Sequence, residues 1–82
     1  MTKISRKQVN VLFSNWKRGT LELEKSFCNF LYEQARNQEL GIINHSQYLF
    51  DNTIDLARDM IDLIFKNQIN EAQKLYNESP FK

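Results

Sequence analysis

A chain of 82 residues has room for one domain spanning 1–82, and chains of this size bury only around 60–65% of the surface they expose when unfolded. Charged residues at 26% and hydrophobic residues at 41% lie near the globular norm, which excludes disorder throughout. One cysteine excludes an internal disulfide, and the longest apolar runs are a few residues against the ~20 that a bilayer span requires.

The net charge of +1 conceals an asymmetry. Residues 1–18 carry Lys3, Arg6, Lys7, Lys17 and Arg18 without an acid, whereas residues 19–82 carry six basic and ten acidic side chains, giving +5 and −4. Such a chain can draw polyanions to one end and polycations to the other, or neutralise itself internally. The amino terminus has basic residues but neither a long apolar core nor a small-residue cleavage site, so no secretory signal is expected and the cytoplasm is the expected compartment.

Two glycines and one proline punctuate a sequence in which nearly every segment repeats its apolar residues at a period near 3.6. The expected fold is all-α: a small bundle of three substantial helices and a short carboxy-terminal one. The first helix is expected over about 6–17. Ser5 caps it, with Gln8 as the capping-box partner, and Val9, Leu12, Phe13 and Trp16 face inward. Gly19 suits the left-handed conformation that ends a helix, and Thr20 can cap the next.

The second helix is expected over about 21–39, with Leu23, Phe27, Phe30, Leu31 and Ala35 inward and Leu21, Cys28 and Tyr32 toward one edge. Glu22 and Glu24 in its first turn would suit the positive end of its dipole, and Gly41 would close it.

The central stretch, His45 to Lys66, is expected to be the helix on which the others assemble, capped by Asn44 with Gln47 or by Ser46. On a helical wheel, Phe50, Ile54, Ala57, Ile61 and Ile64 form one apolar stripe and Leu49, Leu56, Met60 and Leu63 an adjoining one. An arc of about 180° exceeds the roughly 100° that one neighbour covers, so it asks for two partners, from the chain itself or from a second copy in a homodimer. The run Asn67 to Asn70 contains weak helix formers and predicts a bend. A last helix over about 69–76 presents Ile69, Ala72, Leu75 and Tyr76, and Ser79-Pro80 stops it.

Three surfaces are candidates for function. Asp51, Asp55, Asp59 and Asp62 fall at spacings of 4, 4 and 3 on the polar side of the central helix. Carboxylates one turn apart repel by a few tenths of a kcal/mol per pair. Plain solvation is the bland reading of the row; its functional reading is a surface that docks on a larger protein with a basic face. A straight row does not make a metal site, because hard cations need converging oxygens.

Lys3, Arg6, Lys7, Lys17 and Arg18, with Asn10 and Ser14, form the second surface, suited to phosphates and base edges. Five charges with no free aromatic for stacking equally describe a solvated basic skin. The third surface is the excess apolar arc, which is core unless the last helix fails to fold back.

Catalysis is not expected. His45 is the sole histidine, no zinc-binding, nucleophile-elbow or phosphate-loop pattern occurs, and Cys28 reads as buried packing. No metal or cofactor is called for. The expected function is that of a small regulatory or inhibitory protein that binds a larger protein through the aspartate row, so that charge reversal at Asp55 and Asp59 weakens the complex without unfolding the chain. Nucleic-acid binding through the first helix is the alternative, and a homodimeric interaction module a third. A composition rich in Asn, Lys and Ile suits an AT-rich bacterial genome, a phage or a mobile element.

Overall fold

A computed structural model describes residues 3–43, 45 and 52–82. Four helices follow in order: α1 (Arg6–Lys17), α2 (Lys25–Leu40), α3 (Thr53–Phe65) and α4 (Ile69–Asn77). No strand occurs among the described residues. α1 packs on α2, α2 on α3 and α3 on α4. The expected all-helical bundle is thus the observed fold. No helix among the described residues is long and apolar enough to cross a membrane.

α1 has the expected limits. The Ser5 side chain accepts Gln8 N at 3.3 Å, which satisfies one of the orphan donors at the helix start. The first three helices end in the same Schellman geometry, in which the chain reverses through one residue of positive φ. Gly19 (φ 79°) serves after α1, where Thr20 N donates to Asn15 O at 3.0 Å; Gly41 (φ 73°) serves after α2, where Ile42 N donates to Asn37 O at 2.9 Å. Asn67 (φ 63°) serves after α3, where Gln68 N donates to Leu63 O at 2.8 Å. Asparagine tolerates this conformation better than other side-chain-bearing residues. The bend expected after Lys66 is therefore a three-residue reversal, Lys66 to Gln68, that folds α4 back along α3.

Two boundaries differ from expectation. α2 starts at Lys25, not Leu21, with Glu24 as its extended N-cap residue. Residues 21–24 are held out of the helix from the α1 side. The Trp16 indole Nε1 donates to Leu23 O at 3.1 Å, and Thr20 Oγ1 donates to Asn15 O at 3.0 Å instead of capping α2. Glu22 consequently lies in a linker rather than in a first turn.

α3 starts at Thr53, where the expected helix already runs from His45. Asn52 is extended (φ −154°, ψ 169°) and its side chain accepts Asp55 N at 3.0 Å, a true N-cap. Ile42, Ile43 and His45 lie outside any helix. The expected caps Asn44, Ser46 and Gln47, and the apolar residues Leu49 and Phe50, fall outside the described residues.

The core answers the excess apolar arc. Leu56, Ala57, Met60 and Ile61 of α3 are fully buried, with Ile54 and Ile64 nearly so. They join Val9 and Leu12 of α1, Phe27, Phe30 and Leu31 of α2, and Ala72 and Tyr76 of α4 in one cluster. Each large apolar side chain so buried stabilises the fold by roughly 1.5–3 kcal/mol before the entropy of ordering it is counted. Because α4 folds back, the described part of the arc, from Ile54 to Ile64, is covered by the chain's own residues.

The carboxy terminus locks this arrangement. Phe27 stacks on Tyr76 with centroids 4.8 Å apart, and Phe81 stacks on Phe30 at 5.5 Å. Ser79 Oγ donates to Tyr76 O at 2.6 Å and accepts Phe81 N at 3.3 Å, so the turn through Pro80 is satisfied internally.

Candidate functional site

α3 divides sharply around its circumference. Its buried half is the core face just described, and Asp55, Asp59 and Asp62 emerge together on the other half, each partly exposed. At i, i+4 and i+7 of one unbroken helix they share a side, as expected; Asp51 lies outside the described residues. Their surroundings differ. Asp55 sits in the first turn, three residues after the Asn52 cap, where a negative charge is favoured by the helix dipole. Asp59 Oδ1 accepts Arg58 Nη2 at 3.0 Å, the arginine side chain being 21% exposed and the aspartate 39%.

Among the described residues the ion pairs are Arg58–Asp59 and Arg6–Glu39. Of the described aspartates Asp59 is thus offset from within α3, by Arg58, and the ion pair that α1 makes goes to Glu39 of α2.

Next to the row lies a small notch of about 220 Å³. Leu63 of α3 and Leu75 of α4 supply its apolar surface, and Asp59, Asp62 and Lys66 its charged groups. Leu75 cannot be placed there from the sequence, because its position depends on how α4 docks. An apolar floor with a pair of carboxylates at its edge suits a lysine or arginine, whose stem packs while its head stays hydrated and paired. Lys66 on the same rim competes for those carboxylates.

The basic residues in and beside α1 differ in their surroundings. Lys3, Arg6, Lys7, Lys17 and Arg18 are all exposed, but they divide between the two ends of the helix. Arg6 Nη1 is engaged by Glu39 Oε1 at 3.0 Å, and Lys3 shares a cleft with Asp55, Asn52 and Gln38. Lys17 and Arg18 lie at the opposite end, where positive charge complements the carboxy-terminal dipole.

Cys28 is fully buried, and that burial pushes its thiol up to about 11. Among the described residues no three His, Cys, Asp or Glu side chains come together as metal ligands would. Comparison of the chain with models of known protein families, with curated proteins and with solved structures gives no match.

Proposed function

We propose that this chain is a small cytoplasmic regulatory or inhibitory protein that acts without catalysis, docking on a larger protein through the acidic side of α3. The observation that carries this reading is the notch between Leu63 and Leu75 with Asp59 and Asp62 at its edge. It offers a basic partner both a place for an aliphatic stem and paired carboxylates for its charge. Steering by the remaining row would raise the association rate, and desolvation of the notch would slow release.

The informative variants are at Asp59 and Asp62. Reversal at Asp55 would also remove a favourable charge from the start of α3 and so blur binding with folding. The protein is used as bait in its native host, the partner recovered is purified, and affinity is measured by calorimetry for wild type and for Asp59→Lys/Asp62→Lys. The expected result is a loss of about 5- to 30-fold, equivalent to ~1–2 kcal/mol, with helix content retained and an affinity that falls with salt. Equal affinity of a folded double variant would refute the assignment.

A further inference from the structure

The α1–α2 seam holds a cleft of about 570 Å³ that takes Asn10, Ser14 and Lys17 from the expected basic face and adds an aromatic floor and an α2 wall which that face did not include. Phe13 and Tyr32 meet edge to face across it, with centroids 5.2 Å apart and planes at 88°. Tyr32 remains 48% exposed, so part of its ring is open to a ligand while Phe13 fixes its tilt. Around these rings stand Asn10, Ser14 and Lys17 from α1 and Asn29 from α2. None of these is a carboxylate. Four other clefts on the surface each carry at least one: Glu22 and Glu24, Glu71, Asp55, or Asp59 and Asp62.

The helix registers extend the same chemistry along the seam. Lys7, Asn10, Ser14 and Lys17 recur at i, i+3, i+7 and i+10 of α1, and Lys25, Asn29, Tyr32 and Arg36 at i, i+4, i+7 and i+11 of α2. All eight are exposed. Two exposed acids adjoin this α2 row in sequence, Glu24 before Lys25 and Glu33 after Tyr32, and Glu39 at the far end is occupied by Arg6.

We infer that this cleft binds single-stranded nucleic acid, with an unpaired base stacked on Tyr32, Asn10, Asn29 and Ser14 hydrogen-bonding base edges or sugar, and Lys17 neutralising a phosphate. An exposed aromatic face asks for an unstacked base, which a single strand offers and a duplex withholds. Lys17 on the α1 wall, with Lys25 and Arg36 further along the exposed α2 row, supplies the complement to the backbone. This surface is separate from the acidic side of α3, so the two proposals stand or fall independently.

The chain's one tryptophan, Trp16, borders the cleft and reports occupancy by its fluorescence. The test titrates the full chain with oligo-dT of about 12 nucleotides at about 50 mM salt, following Trp16 quenching and the anisotropy of a labelled strand. The expected dissociation constant lies at about 10⁻⁴–10⁻⁶ M and rises with salt. Tyr32→Ala should weaken binding roughly 5- to 100-fold, the range given by the loss of one base stack; Tyr32→Phe should keep it. Asn29→Asp, which sets a carboxylate on an exposed helix position beside the ring, should abolish quenching while leaving the helical spectrum intact.

No binding up to about 10⁻³ M, a range beyond even weak non-specific association, would overturn the inference. An unaffected Asn29→Asp would do the same. Equal affinity for the matching duplex or for polyglutamate would assign the surface to charge alone and equally sink it.

Discussion

The side-chain amide of Gln38 holds the main chain of Ile4 by two hydrogen bonds at once. Gln38 Oε1 accepts Ile4 N at 2.8 Å, and Gln38 Nε2 donates to Ile4 O at 3.0 Å. The end of α2 thereby fixes the segment that precedes α1, and the Ile4 side chain enters the core. Removing that amide leaves both polar groups of a buried residue's backbone to find water or go unpaired. Gln38→Ala is therefore expected to lower stability by about 1–3 kcal/mol. Arg6→Ala is the control, because it breaks the Arg6–Glu39 pair across the same junction where both side chains are about half exposed (51% and 52%). An exposed pair of that kind contributes about 0–1 kcal/mol. Urea midpoints at unchanged slope make the comparison. If the two variants lose the same amount, the Ile4 clasp contributes no more than a surface pair.

Gln34 stands one turn earlier on α2 and has the opposite character. It is 94% buried, its exposure being 6%, and its Oε1 is the buried side-chain polar atom without a hydrogen-bond partner among the described residues. An acceptor withdrawn from water without compensation destabilises a fold by about 1–3 kcal/mol. Leucine has a similar volume and an equal or better helix propensity. Gln34→Leu is expected to stabilise the chain by about 1 kcal/mol, raising the melting temperature by roughly 4–8 °C for a domain of this size. Gln34→Glu should do the reverse, since a charge is costlier to bury than an amide. A melting temperature for Gln34→Leu at or below that of wild type would mean that the amide stabilises the native state in a way its geometry does not reveal.

What could be read from the sequence, and what could not, follows from the range of the interactions involved. α1 was legible because its determinants are local: Ser5 three residues before Gln8, an apolar set at i, i+3, i+4 and i+7, and Gly19 to end it. The start of α2 was not, because Leu23 is held outside the helix by the Trp16 indole seven residues away. No propensity scale sees that bond. At α3 a local signal was present and was outweighed: Asn52 followed by Asp55 at N3 is good capping chemistry, but on a wheel alone the apolar period runs on upstream through Phe50 and Leu49. The division of α3 into a buried half and an aspartate side survived the shortened helix, since a 3.6-residue period needs only the residues from Thr53 onward. The notch and the aromatic-floored cleft were invisible for one shared reason. Leu75 reaches Leu63, and Tyr32 reaches Phe13, through the docking of separate helices.

Cys28 offers a test of the core through pH. Its thiol, with an ordinary value of 9.0, is pushed up to about 11 by burial alone, so the folded state keeps its proton where the unfolded state has lost it. Below pH ~9 both states are protonated and the residue contributes no pH dependence. Between about 9 and 11 the unfolded state binds fewer protons than the native one, so stability falls as pH rises. The full difference is on the order of 2–3 kcal/mol, reached only above the folded value. Lysines and tyrosines titrate in the same window, and the measurement must remove their contribution. The quantity to follow is the stability of wild type minus that of Cys28→Ala from urea melts at successive pH values. The difference is expected to be flat up to about pH 9 and to decline above it. Alkylation of the thiol at neutral pH should correspondingly be slow in water and accelerate only across the unfolding transition. Rapid labelling of the native chain, or a difference that stays flat through pH 11, would place Cys28 in contact with solvent and the α2 core in a looser state than its packing implies.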